Sequence, residues 1–191
     1  MPKPSLKPPM SKESLLPLLA QAVLAQGLGQ ASLRPLAKVA GTSDRMLLYH
    51  FGTKEALIAD LLGFLARSYA ASIDAAMAAD ARATTRGQAL ARILKHARSE
   101  EMRPFQQLWW EIVAGAARGV PGYQPAAQAM MTELLGWLEG QMPADDPDPA
   151  GGARYLLTLI EGALMLATIG HAQTARDGIE AGLLAGGRAA S

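Results

Sequence analysis

Thr42, Ser43, Asp44 and Arg45 stand in a row, and each carries hydrogen-bonding groups of the kind that meet base edges in a nucleic-acid groove. Arg45 is the strongest reader among them. Its guanidinium can grip guanine O6 and N7 together, a contact worth about 1–3 kcal/mol. Asp44 keeps two readings: it accepts from cytosine N4, or it favours the positive end of a helix that starts there. Tyr49, His50 and Lys54 follow, and their chemistry suits phosphate oxygens. Lys54 stands where a further helix opens, beside amides that already attract anions. For Tyr49 and His50, packing between helices is the competing reading.

No other set of residues offers comparable chemistry. The histidines His50, His96 and His171 lie far apart, with neither His-x-x-x-His nor His-Glu-x-x-His spacing for a metal. The chain has no cysteine, which removes disulfides and thiolate metal sites. Nucleophile-elbow, P-loop and dinucleotide glycine patterns are missing too. Asp145, Asp146 and Asp148 are separated by prolines and read as a solvated turn. No catalytic residue, metal or cofactor is expected. A helical enzyme, and a helical adaptor whose headpiece binds protein, are the rival readings.

The candidate readers need a scaffold, and the flanking residues supply one. Leu33, Leu36, Ala37 and Ala40 recur at three and four, one face of a helix. Gly41 then gives the backbone freedom of a helix C-terminus, and Thr42 or Ser43 caps a second helix that carries Met46, Leu47 and Phe51 inward. This pair reads as a helix-turn-helix, whose second helix, Ser43 to Phe51, is built to enter a DNA major groove. A preceding helix is predicted from Ser14, as N-cap, to Gln26, with Pro17 in its first turn. Ser32 and Pro35 repeat the device.

From Thr53 a long helix is predicted to about Ala79, with Leu57, Leu61, Leu65, Tyr69, Ile73 and Met77 on one stripe. Further helices are expected at Arg86 to Ser99, Pro104 to Arg118, Gln124 to Gln141, Ala153 to Gly170 and about Arg176 to Ala185. Asp145 to Gly152 is the strongest loop signal. Strand patterns are scarce, so the chain reads as all-α, with about nine helices. Three regions follow: a disordered basic tail over 1–13, a helix-turn-helix headpiece over 14–54, and a helical body over 55–191.

Charge follows the same division. Residues 1–54 hold seven bases against two acids, net +5, while 55–191 are net −4 within a chain of 191 residues and overall charge +1. A basic head on an acidic body suits a polyanion at one end. Lys3, Lys7 and Lys12 belong to the tail, read as solvated or as reaching a neighbouring groove. The tail holds prolines and lysines without an apolar run, unlike a signal peptide. The Tyr155 to Gly170 segment, the nearest approach to a membrane span, is broken by Glu161. A soluble, cytoplasmic chain is expected.

The stretch from Ser14 to Leu62 resembles the DNA-binding domain of TetR-family transcriptional repressors. The likeness rests on Leu36-Ala37, Ala40-Gly41, Ser43, Leu47 through Phe51, and Lys54-Glu55 followed by Leu57, with Ala22 and Gly27 where the family's first helix packs and ends. Beyond Leu62 it is architectural. The family often places an aromatic where this chain has Leu48, and a base where it has Asp44. The resemblance implies a homodimeric regulator, by default a repressor, on a palindromic double-stranded operator, released by a small hydrophobic effector.

A single short reading helix spans few base pairs, which also argues for twofold pairing. The candidate pairing face is Leu156, Ile160, Ala163, Ala167 and Gly170, at helical spacing and with the later ones small; facing its own core is the alternative. TetR-like proteins dimerise through their last two helices. Phe64, Phe105, Trp109, Trp110, Met130 and Met131, with Trp137 and Met142 nearby, read as effector-pocket lining or as plain core. Glu111 and Glu161 are polar hooks for an effector or satisfied carboxylates.

Overall fold

The computed structural model describes residues 10–30 and 32–188, with Gln30 and 183–188 in backbone only. The tail lysines Lys3 and Lys7 lie outside the described residues. Among those described the regular structure is helical: α1 Lys12–Gln26, α2 Leu33–Val39, α3 Asp44–Phe51, α4 Lys54–Met77, α5 Arg86–Ala97, α6 Arg103–Ala117, α7 Tyr123–Gln141, α8 Pro149–Thr168 and α9 Ala172–Arg188, with short 3₁₀ turns at Leu28–Gln30 and Glu100–Met102. The chain divides into two compact units. One holds residues up to Ser68 together with Pro104–Met130, the other Tyr69–Arg103 and everything from Met131.

In the first unit α1 begins earlier than expected. Ser11 is the N-cap, and Ser14 closes a capping box: the Ser14 amide donates to Ser11 Oγ at 3.3 Å and the Ser11 amide to Ser14 Oγ at 2.9 Å. Lys12 and Glu13 are therefore helical residues, not tail. The earlier start also moves Pro17 beyond the first turn, where its missing amide leaves the Glu13 carbonyl without its helical donor. Leu15, Leu19, Ala20 and Val23 bury one face of α1.

At the end of α2, Gly41 takes φ +63°, and the amides of Gly41 and Thr42 return to the carbonyls of Lys38 and Ala37 at 3.2 and 2.9 Å. That double return is the Schellman arrangement, which a side chain at Gly41 would strain. It turns the chain directly into α3.

Helix α4 starts on Thr53, whose Oγ1 accepts from the Ala56 amide at 3.0 Å. Its 24 residues extend roughly 36 Å. By length, and by a mean hydropathy of 1.4, α4 meets the requirement for crossing a bilayer, so it and not Tyr155 to Gly170 is the nearest candidate. The apolar residues responsible, Leu57, Leu61, Leu62, Leu65 and Ile73, are buried in the protein. Burying each is worth about 1.5–3 kcal/mol.

In the second unit Arg86, at the start of α5, holds the loop before α8. Its Nε and Nη2 donate to the two carboxylate oxygens of Asp146 at 2.8 and 2.7 Å, and Nη2 also reaches the Asp148 carbonyl at 2.9 Å. This bidentate pair pulls the Asp146 carboxyl down to about 2. Asp148 caps α8, accepting from the Gly151 amide. Helix α8 thus begins inside the segment expected as loop. Gly151 and Gly152 are helical, and a Cβ on Gly152 would lie 2.9 Å from Arg86 Nε. The glycine signals a close approach of Arg86, which sequence reading took for a turn. Helix α9 also starts earlier than expected and packs along α8.

Candidate nucleic-acid interface

Helix α3 is tethered by Leu47 and Phe51, both buried and one turn apart. Its N-cap is Ser43, whose Oγ accepts from the Met46 amide at 3.2 Å. Ser43 therefore spends its side-chain acceptor on the helix while standing exposed at its tip. Asp44 and Arg45 follow in the first turn, both exposed, and Thr42 is half-buried just before them. The four expected base readers come together as one continuous strip. Met46 departs from expectation: it is exposed, because the burial of Leu47 and Phe51 turns its side of the helix outward.

Tyr49 is 78% exposed, so packing between helices does not describe it. His50 is half-buried, with Nε2 buried and without a hydrogen-bond partner. The two rings meet edge to face, centroids 5.3 Å apart. Lys54 is exposed at the first position of α4 and borders a cleft of about 320 Å³ with Ser32, Glu55 and Tyr123. Lys12 does not reach outward as a tail residue. It pairs with Asp60 at 2.8 Å and lies 5.3 Å over the Phe51 ring, bracing α1 against α3 and α4.

One anchoring contact escaped sequence reading. The Leu28 amide, in the turn after α1, donates to Glu111 Oε2 on α6 at 2.6 Å across 83 positions. Gly27 beside it adopts φ +79°, ψ 164°, and a Cβ there would meet Glu111 Oε1 at 2.6 Å. Glu111 is thus spent on the headpiece and is not free as an effector hook. Gly27 was legible as the end of the first helix, but a pairing across so many positions leaves no local signal.

The remaining candidates divide by burial. Phe64, Phe105, Trp109 and Trp110 are half-buried and Met130 is buried, all in the first unit; Met131 is half-buried in the second. Trp110 and Trp137 each have a buried Nε1 without an acceptor. Burial pushes the Tyr69 phenol up, and the nearby Glu161 carboxylate adds to the effect. On α8, Leu156, Ile160 and Ala163 are buried in their own chain, which corrects the expected pairing face; Ala167 is half-buried and Gly170 exposed. The open face runs instead through Tyr155, Thr158, Gly162, Met165 and Ile169, with Met165 49% and Ile169 65% exposed.

Residues 20–61 match the profile of bacterial regulatory proteins of the tetR family. No protein with a curated description matches the chain. Among solved structures, a proposed transcriptional regulator from Streptomyces coelicolor A3(2) is similar at 25% identity and TM-score 0.59, over 80% of this chain and 84% of that one. A transcriptional regulator from Rhodococcus sp. Rha1 shares the fold at 23% identity and TM-score 0.64, over 93% and 97%. The multidrug binding protein EbrR, solved with proflavin, shares it at 20% identity and TM-score 0.62, over 88% and 96%.

Proposed function

With a TetR-family headpiece on the fold of transcriptional regulators as premise, we propose that this protein is a homodimeric repressor that reads a palindromic operator through α3 and is released by a small hydrophobic effector. One observation carries the reading. Helix α3 is fixed by two buried side chains and turns the rest outward, including Leu48 and the largely exposed Tyr49. Met46, Leu48 and Tyr49 lie exposed close together on that helix beside Arg45, a mixed apolar and basic surface that suits a nucleic-acid partner.

In the groove, Arg45 reads guanine, and Thr42, Ser43 and Asp44 meet neighbouring edges. Tyr49, His50 and Lys54 grip phosphates and set the register. Two copies place their reading helices about 34 Å apart, one turn of duplex. Pairing uses the open α8 stripe of Tyr155, Met165 and Ile169 together with α9. A cytoplasmic site of action follows from access to the operator.

The effector binds among Phe64, Phe105, Trp109, Trp110 and Met130, whose bulky apolar side chains suit a hydrophobic ligand. Trp109 and Trp110 adjoin Glu111 on α6, so an effector that shifts this helix disturbs the bond to Leu28 and with it the headpiece. Release requires that the effector bind the displaced state more tightly.

Selection of bound DNA from a random pool tests the proposal. A palindrome with half-sites one turn apart is the expected product, and recovery of no enriched sequence at low salt refutes DNA reading.

A further inference from the structure

A groove of about 300 Å³ opens between α5 and α9, with Leu90, Ala91, Leu94 and Ile179 as its apolar surface. Three bases stand around it, Lys95, Arg98 and Arg176, against a single acid, Glu180, among the described residues. Lys95 is already shared with Asp80, 3.5 Å away. The two arginines are not so occupied. Arg176 donates from both Nε and Nη2 to the neutral amide oxygen of Gln173, at 3.0 and 2.5 Å, so it has hydrogen-bond partners but no compensating charge. Arg98 has Nε and Nη2 buried with no hydrogen-bond partner.

Buried polar nitrogens without partners are uncommon in folded proteins, and a charged group in that state is the costliest kind. An anion at the groove supplies what both guanidiniums lack, and a planar carboxylate matches the guanidinium fork. The apolar surface beside them asks for a hydrocarbon. The volume lies at the small end of ligand pockets, so the tail is short.

We propose that the α5–α9 groove binds a medium-chain carboxylate, its head on Arg98 and Arg176 and its tail along Leu90, Leu94 and Ile179. The site shares no residue with α3 or with the aromatic set of α6, and it stands whether or not the chain represses transcription.

Calorimetric titration of the full chain with octanoate, and with octanol as the uncharged counterpart, tests the assignment. Octanoate is expected to bind saturably, octanol at least about tenfold more weakly, and Arg98→Gln and Arg176→Gln each to weaken octanoate about tenfold. Arg176 is exposed on α9, so its variant keeps the fold and decides the question even where Arg98→Gln unfolds. Octanol binding as tightly as octanoate overturns the proposal. So does octanoate affinity unchanged in Arg176→Gln, or no saturable octanoate binding at all.

Discussion

Arg45 and Lys54 are both exposed bases, yet they are expected to fail differently when removed. Arg45 stands in the first turn of α3, the turn proposed to meet base edges, whereas Lys54 opens α4. Arg45→Ala should relax operator preference, costing about 1–3 kcal/mol on the preferred sequence and little on others. Lys54→Ala should weaken binding to all sequences and lower the salt slope by about 1. Competition binding with matched and scrambled duplexes at several salt concentrations separates the two. A second residue, Asp146, governs acid stability. Its carboxyl sits at about 2 in the folded chain, held there by hydrogen bonds from Arg86. The unfolded value is about 3.9, so its contribution is complete above that pH and is lost as pH falls through about 2. Asp146→Asn should therefore melt earlier than the parent at pH 7, with the gap closing near pH 2. At this scale the sequence was informative for residue types at helix tips, since caps and first turns follow local rules. Burial was less legible: Met46 was expected inward and Tyr49 could pack or reach out, and both are exposed.

Helix positions were legible from periodicity, but their starts were not, because a cap depends on which of several hydroxyls the chain closes on. Ser14 was read as the cap, but Ser11 takes that place and Ser14 answers it from the first turn. At α8 the signal was misleading: glycine next to proline marks turns, but Gly152 is helical and makes room for Arg86. The contact between α6 and the turn after α1 gives a prediction about elements. Glu111→Ala should destabilise the first unit by about 1 kcal/mol and lower affinity for DNA without altering operator preference, with Glu111→Gln retaining much of both. Gly27→Ala should cost more, about 1–3 kcal/mol, because its backbone region is almost closed to other residues and its Cβ meets Glu111. Chemical denaturation and duplex titration measure these effects. An operator preference that shifts in Glu111→Ala would show that α6 does more than hold the headpiece.

Across the whole molecule, the proposed pairing turns on which face of α8 is spent internally. Periodicity picked out the stripe from Leu156 to Gly170 but could not say whether it faces a partner or its own core. Burial of Leu156, Ile160 and Ala163 leaves the neighbouring stripe open. Ile169→Lys, at a site 65% exposed, should keep the fold, yield monomers by sedimentation, and reduce operator affinity more than tenfold by removing the second half-site. A dimer undisturbed by Ile169→Lys and Met165→Lys together would exclude this face. The all-α reading and the headpiece were accessible from sequence because they rest on local patterns; the division into units was not, because it joins distant segments. That division has a consequence for biogenesis. Since the unit containing the reading helix draws on Pro104–Met130, a nascent chain cannot complete it when the first 68 residues leave the ribosome. The bond from Leu28 must wait for Glu111, so the unit that holds α3 lacks this anchor until residue 111 has been translated.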